Sequence, residues 1–163
     1  MNIPEALAPS YDAMTLGLRA LLFDAARHEG FDEASATMMA RSGFVDIDGV
    51  VVAAAALRRR PDYVDNDVVI VCPLEGIRSM TLEQASLVLH INLALSATLG
   101  PAFAVDDEGE LQLVHGMRID SLDASTFAHR LTRLARLARS VRDDLQALAE
   151  RDADDASCTG GAA

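Results

Sequence analysis

Lysine is missing from this chain: all 14 basic residues are arginine. That excludes chemistry built on lysine, such as a phosphate-loop lysine or a Schiff base. Positive charge is scarce as well. Asp and Glu number 25 against those 14, for a formal net charge of −11 and a pI near 4.6. Phosphates are repelled by such a surface, so nucleic acid and anionic membranes are poor partners. There are two cysteines, Cys72 in an apolar run and Cys158 in a polar tail, with no CxxC and no Cys/His metal spacing. Neither a disulfide nor a zinc site is expected. No apolar run approaches the ~18 residues of a membrane span, and the opening MNIPEALAPSYDAM lacks both parts of a signal peptide. The expectation is a cytoplasmic, soluble protein. No glycine-rich phosphate loop and no Ser/His/Asp or Cys/His arrangement stands out; His28, His90, His115 and His129 scatter over separate elements. No catalytic residue, cofactor or metal is expected.

What is present is apolar and ordered. The 163 residues are 50% hydrophobic, which suits one domain with one core. A chain this long buries roughly two-thirds of its unfolded surface. The most informative stretch is Thr81 to Ile119. Thr81 and Gln84 have the spacing of a capping box, and Leu82 to Leu99 read as a helix closed by Gly100-Pro101. Its apolar residues cover nearly the whole circumference, so a second partner is expected beyond the protein's own sheet, most simply the same helix of another subunit. His90 and Asn92 interrupt it as polar residues at a packed boundary. Ala102 to Val105 read as a short strand, Asp107-Glu108-Gly109 as a turn, and Leu111 and Leu113 as a half-buried strand.

Elsewhere, Ser10 is a plausible N-cap for a first helix with Met14, Leu18, Leu21, Leu22 and Ala25 on one face, stopped by Gly30. Residues 38 to 80 read as strands: Phe44 to Ile47, then Val50 to Leu57, then Val68 to Cys72. Ala53 to Ala56 favour helix by propensity, but a helix wedged between Gly49 and Pro61 is barely two turns long, so a strand is expected. Arg58, Arg59 and Arg60 open a polar loop that is either solvated or a partner contact. Asp123 caps a last helix whose Phe127, Leu131, Leu134, Ala138, Val141, Leu145 and Leu148 form a heptad seam. Arg130, Arg133, Arg136, Arg139 and Arg142 spiral around its flanks. They are either a solvated face answering the acidic surface or a ridge for an anionic ligand. Residues 151 to 163 are acidic, then Gly-rich, and are expected to be a disordered tail after a domain spanning 1 to 150. The order is α-β-β-β-α-β-β-α, an α+β two-layer domain with a twisted antiparallel sheet and three helices.

An apolar helix carrying an Asn, then Gly-Pro, a short strand, an Asp-x-x-Gly turn and an alternating strand resembles the class I type III secretion chaperones, the effector-binding chaperones of the Tir-chaperone family. The matching residues are Leu89, Asn92, Gly100, Pro101, Phe103, Asp106, Gly109, Leu111 and Leu113. The resemblance implies a homodimeric, cytoplasmic, non-enzymatic chaperone. It would hold an extended N-terminal segment of a secreted effector, without ATP. On apolar position alone, Leu18, Leu22, Val45 and Ile47 are expected to line the partner groove, and Leu87, Ile91 and Leu95 the dimer interface. Two other readings stand beside it. One is a stand-alone binding or sensing module on the same fold. The other is a phosphatase, because Phe44-Val45-Asp46-Ile47-Asp48-Gly49-Val50-Val51 resembles the first motif of the haloacid dehalogenases, with Asp46 as nucleophile and Asp48 as acid/base. Against that, Asp48-Gly49 is also the sequence of a tight hairpin turn.

Overall fold

The computed structural model describes residues 15–56, 67–98 and 100–159. Its elements run α1 (Leu16–His28), α2 (Glu33–Ser42), β1 (Phe44–Ile47), β2 (Val50–Ala56), β3 (Asp67–Pro73), α3 (Leu82–Ser96), β4 (Ala102–Val105), β5 (Leu111–Arg118), a 3₁₀ turn (Ile119–Ser121) and α4 (Ala124–Thr159). The strands form one five-stranded sheet in the order β1-β2-β3-β5-β4, every neighbouring pair antiparallel. The α+β class and the strand order along the chain agree with the sequence reading. The helix count does not, since α2 is a fourth helix.

That helix has a plain local cause. The Asp32 side chain accepts a 2.7 Å hydrogen bond from the Ser35 N–H, and Gly43 closes the other end in the left-handed conformation at φ 75°. Asp32 therefore holds its proton less tightly than an ordinary carboxyl, chiefly because that backbone N–H favours the charged form. α1 is capped by Thr15, which accepts from the Leu18 N–H; the expected cap Ser10 lies outside the described residues, as do Met14, Leu57, Leu99 and the arginines at 58–60.

α4 lies across the sheet with α1 beside it. Its whole heptad seam is buried: Phe127, Leu131, Leu134, Ala138, Val141, Leu145 and Leu148. Those from Phe127 to Leu145 meet Val52, Ala54, Val68, Ile70, Cys72 and Leu113 from the inner face of the sheet in one core. Each large side chain buried there contributes roughly 1.5–3 kcal/mol of transfer free energy. Burial also pushes the Cys72 thiol up to about 12, so it stays protonated and unreactive at neutral pH. The helix continues to Thr159, past the boundary at 150 where a disordered tail is expected. Physically, nothing stops it sooner, because the first glycine after Gly116 is Gly160.

α3 opens with the expected capping box: Gln84 N–H donates to Thr81 Oγ1 and Thr81 N–H to Gln84 Oε1. Gln84 also donates its side-chain N–H to the Leu145 carbonyl at 2.7 Å, which ties α3 to α4. The helix ends at Ser96, earlier than the sequence suggests, with the N–H groups of Thr98 and Gly100 both on the Leu95 carbonyl. Asn92 then binds the edge strand β4. Its Nδ2 donates to the Phe103 carbonyl (3.0 Å) and its Oδ1 accepts from the Phe103 N–H (2.7 Å). Those two groups are the ones Phe103 turns away from β5, so one amide side chain closes the outer edge of the sheet. Asn92→Ala is expected to lower stability by about 1–3 kcal/mol, the cost of leaving both groups unpaired. Denaturant unfolding checks it; a loss too small to measure would mean that water replaces the amide at no cost.

The Asp-x-x-Gly turn is held by Asp106. Its Oδ1 accepts from the N–H groups of Glu108 and Glu110, and its Oδ2 from Gln112 Nε2. The Glu110 backbone bond, first among these, holds the Asp106 carboxyl below its ordinary value.

Candidate functional site

The hairpin of β1 and β2 forms one end of the sheet. Asp48 (φ 53°) and Gly49 (φ 79°) are both left-handed, as a two-residue primed turn requires. Asp46 Oδ1 accepts from the Gly49 N–H at 2.7 Å, so this carboxylate closes the turn. Both aspartates sit on an antiparallel hairpin, whereas phosphatase chemistry needs the first at the end of a central parallel strand. Among the described residues no group of His, Cys, Asp and Glu is arranged to hold a metal ion. Asp46→Asn keeps the carbonyl acceptor and is expected to change stability by less than about 0.5 kcal/mol, as for a surface position. A magnesium-dependent phosphate-ester hydrolysis lost in this variant would reverse the assignment.

β1 is an edge strand whose unpaired side can be deduced. The primed turn makes Ile47 and Val50 a hydrogen-bonded pair, and the Ala54 N–H donates to the Gly43 carbonyl in the same phase. Residues 43, 45 and 47 therefore point their backbone groups at β2, while 44 and 46 point outward. Ser42 Oγ meets the Phe44 backbone. Asp46 has no backbone partner among the described residues, so its N–H and C=O face solvent at the sheet's end.

Directly beside that edge, on the helical face, lies a cleft of about 270 Å³. Ala25 and Ala26 of α1, Phe31, Met39 of α2, Val45 and Ile47 of β1, and Leu131 of α4 give it an apolar floor. Glu29, Asp46, Asp48 and Arg136 rim it. An open strand edge next to an apolar depression is the arrangement that accepts an extended peptide: the edge takes its main chain, and the depression takes alternate side chains.

The four residues expected in the groove divide. Val45 and Ile47 line the cleft. Leu18 and Leu22 do not: they are 0% and 1% exposed and belong to the core between α1, α4 and the sheet. The expectation that α1 exposes them is corrected, and the reason is physical. α4 packs on α1 over Leu18 and Leu22, so neither side chain reaches the cleft. Phe31 and Met39 are cleft residues that the sequence reading misses, because it places the chain around 38 in a strand. Asp32 before Glu33 and Gly43 after Ser42 are the signals of a helix start and stop that bring Met39 into place.

The apolar helix α3 presents two arcs. Leu87, Ile91 and Leu95, the residues expected at a dimer interface, are half-buried against the protomer's own core. The outward arc is Leu82, Leu89 and Leu93, exposed at 89%, 68% and 72%. Composition could not choose between arcs, since leucines lie all around the helix. The outward one is the exposed apolar surface.

Comparison with known proteins bears on the fold. Residues 64–142 match the family model of the Tir chaperone protein (CesT) family. No curated protein matches the chain. Among solved structures, the ExsC-ExsE complex contains a chain alike at a TM-score of 0.58 with 18% identity, over 78% of this chain and 92% of that one. The HopA1-SchA chaperone-effector complex gives 0.54 and 17%, over 78% and 94%. The Yersinia pestis type III secretion chaperone SycH, in complex with a stable fragment of YscM2, gives 0.52 and 21%, over 76% and 98%. At these identities the likenesses speak for the fold. Through β3, α3, β4, β5 and the first half of α4, just under half of its length, the chain is similar to the Tir chaperone protein (CesT) family.

Proposed function

We propose that this protein is a type III secretion chaperone that binds an extended N-terminal segment of a secreted effector and keeps it soluble and ready for export. The carrying observation is the family match, combined with an open β1 edge lying against an apolar cleft. Strand addition supplies main-chain hydrogen bonds, and the cleft supplies side-chain pockets. The acidic surface, net −11, keeps the loaded complex soluble. The reading is non-enzymatic, with Asp46 accepting the Gly49 N–H to close the β1–β2 turn. It is also cytoplasmic, in keeping with the job of meeting an effector before export; among the described residues no helix is long and apolar enough to cross a membrane.

The working unit we infer is a homodimer joined through the outward arc of α3, which gives Leu82, Leu89 and Leu93 a cover. Purification of the native protein from its own bacterium, followed by mass spectrometry of what remains bound, tests the function. The expected companion is a larger secreted protein whose N-terminal segment is shielded from protease, and whose export falls when the chaperone is deleted. Unimpaired export of every secreted protein in the deletion strain would favour the stand-alone binding module.

A further inference from the structure

The arginine spiral on α4 connects two concavities. Arg136 borders the cleft beside β1, while Arg130 and Arg133, together with Arg136, line a second and larger groove of about 1000 Å³. The second groove runs between α4, the end of β5 and the loop from α3 into β4. We propose that it docks an acidic, extended segment of a partner protein, at a place separate from the β1 cleft and whatever that cleft holds.

Charge is the first argument. The chain carries 25 acidic residues, yet none of the described ones lines this groove, where Arg118, Arg130, Arg133 and Arg136 stand. Arg118 is paired with Asp120, whereas Arg130, Arg133 and Arg136 form no ion pair with a carboxylate among the described residues. Three cations gathered in one concavity, on a protein of net −11, create a local field opposite to the global one. Salt screens charges beyond about 8 Å at physiological strength, so a short acidic segment in the groove feels these arginines more than the distant carboxylates.

Backbone geometry is the second argument, and it is independent of charge. β4 begins at Ala102, opposite Val114, and Gly100, next in the same phase, gives its N–H to the Leu95 carbonyl instead of to β5. β5 runs on for another turn of the ladder, His115 to Arg118, bonded to β3 on its other side. The phase is fixed by Phe103, whose N–H and C=O both go to Asn92 and so away from Leu113. Even-numbered residues of β5 therefore face β4, and Gly116 faces the groove with its N–H and C=O unpartnered among the described residues. Leu95, Leu134 and Leu137 provide apolar contact on the walls. A segment that continues the line of β4 would bond to Gly116 and set its alternate side chains toward Arg130 and Arg133. A nucleic acid strand, with its charge unbroken along its length, would run out of the groove onto acidic surface.

The test uses the full chain and three fluorescent probes: a soluble synthetic peptide in which Glu alternates with Val and Thr, the same peptide with Lys for Glu, and oligo-dT. Anisotropy should show the Glu peptide binding, more weakly as salt rises, and the other two not binding. Arg130→Glu with Arg133→Glu, both at exposed positions, should weaken the Glu peptide by about tenfold or more, as expected when facing charges become alike. Circular dichroism and light scattering should show fold and mass unchanged. Equal binding by the double variant, or equal or better binding of the Lys peptide or of oligo-dT, would overturn the proposal. So would a change of oligomeric mass in the variant, which would make the groove an interface between copies of this chain.

Discussion

Leu89→Asp combined with Leu93→Asp is expected to convert a dimer into a folded monomer. These side chains are 68% and 72% exposed in the protomer, so their replacement costs the isolated fold little. In a two-fold interface each occurs twice, and each leucine that loses burial there forfeits roughly 1.5–3 kcal/mol. Four such sites weaken association by about 6 kcal/mol or more, beyond four decades in Kd, before the repulsion of facing carboxylates is added. Sedimentation should show the parent at twice the protomer mass and the variant at one protomer mass, with unaltered circular dichroism. Ile91→Asp is a less discriminating test, because Ile91 packs on the protomer's own core and its loss confuses dissociation with unfolding.

Leu22→Glu is expected to destroy the fold, whereas Ile47→Glu should leave it standing. Leu22 is 1% exposed inside the joint core of α1, α4 and the sheet. Deleting a buried leucine costs about 2–5 kcal/mol by itself, and an unpaired carboxylate adds to that. A domain of ordinary stability has about 5–15 kcal/mol to lose. The melting temperature of Leu22→Glu should fall by about 10 °C or more, or the protein should not accumulate. Ile47 sits half-buried at an edge strand with its side chain in the cleft, so water can reach a glutamate there. A Leu22→Glu variant that melts like the parent would show that α4 does not seal α1.

How much of this could be read beforehand depended on how local each cause is. The capping box at Thr81, the hairpin at Asp48-Gly49 and the seam of α4 are short-range patterns, and each stands where the sequence puts it. The alanine run 53–56 became strand because its pairing with β3 outweighs a weak helical propensity. α2 was missed although its caps are local, because its few apolar positions, Ala36, Met39 and Ala40, make a weak stripe. The cleft was half legible. A leucine stripe on α1 looks the same whether α4 or a partner covers it, so Leu18 and Leu22 were placed at the wrong surface, while Val45 and Ile47 lie at the cleft. The inward and outward arcs of α3 could not be told apart for the same reason. Arg130 and Arg133 were visible as a charge spiral, but only the fold shows that they share a groove with an unpaired glycine on β5.

The central claim is that a secreted protein's N-terminal segment adds to the β1 edge and fills the cleft beside it. Titration calorimetry of that segment into the parent and into Ile47→Glu, both first shown to be folded dimers, tests it most directly. The account predicts tight one-site binding by the parent and a loss of about a hundredfold in Ile47→Glu, the effect of about 2.7 kcal/mol when a charge enters a desolvated pocket. Equal affinity in the two proteins would contradict it.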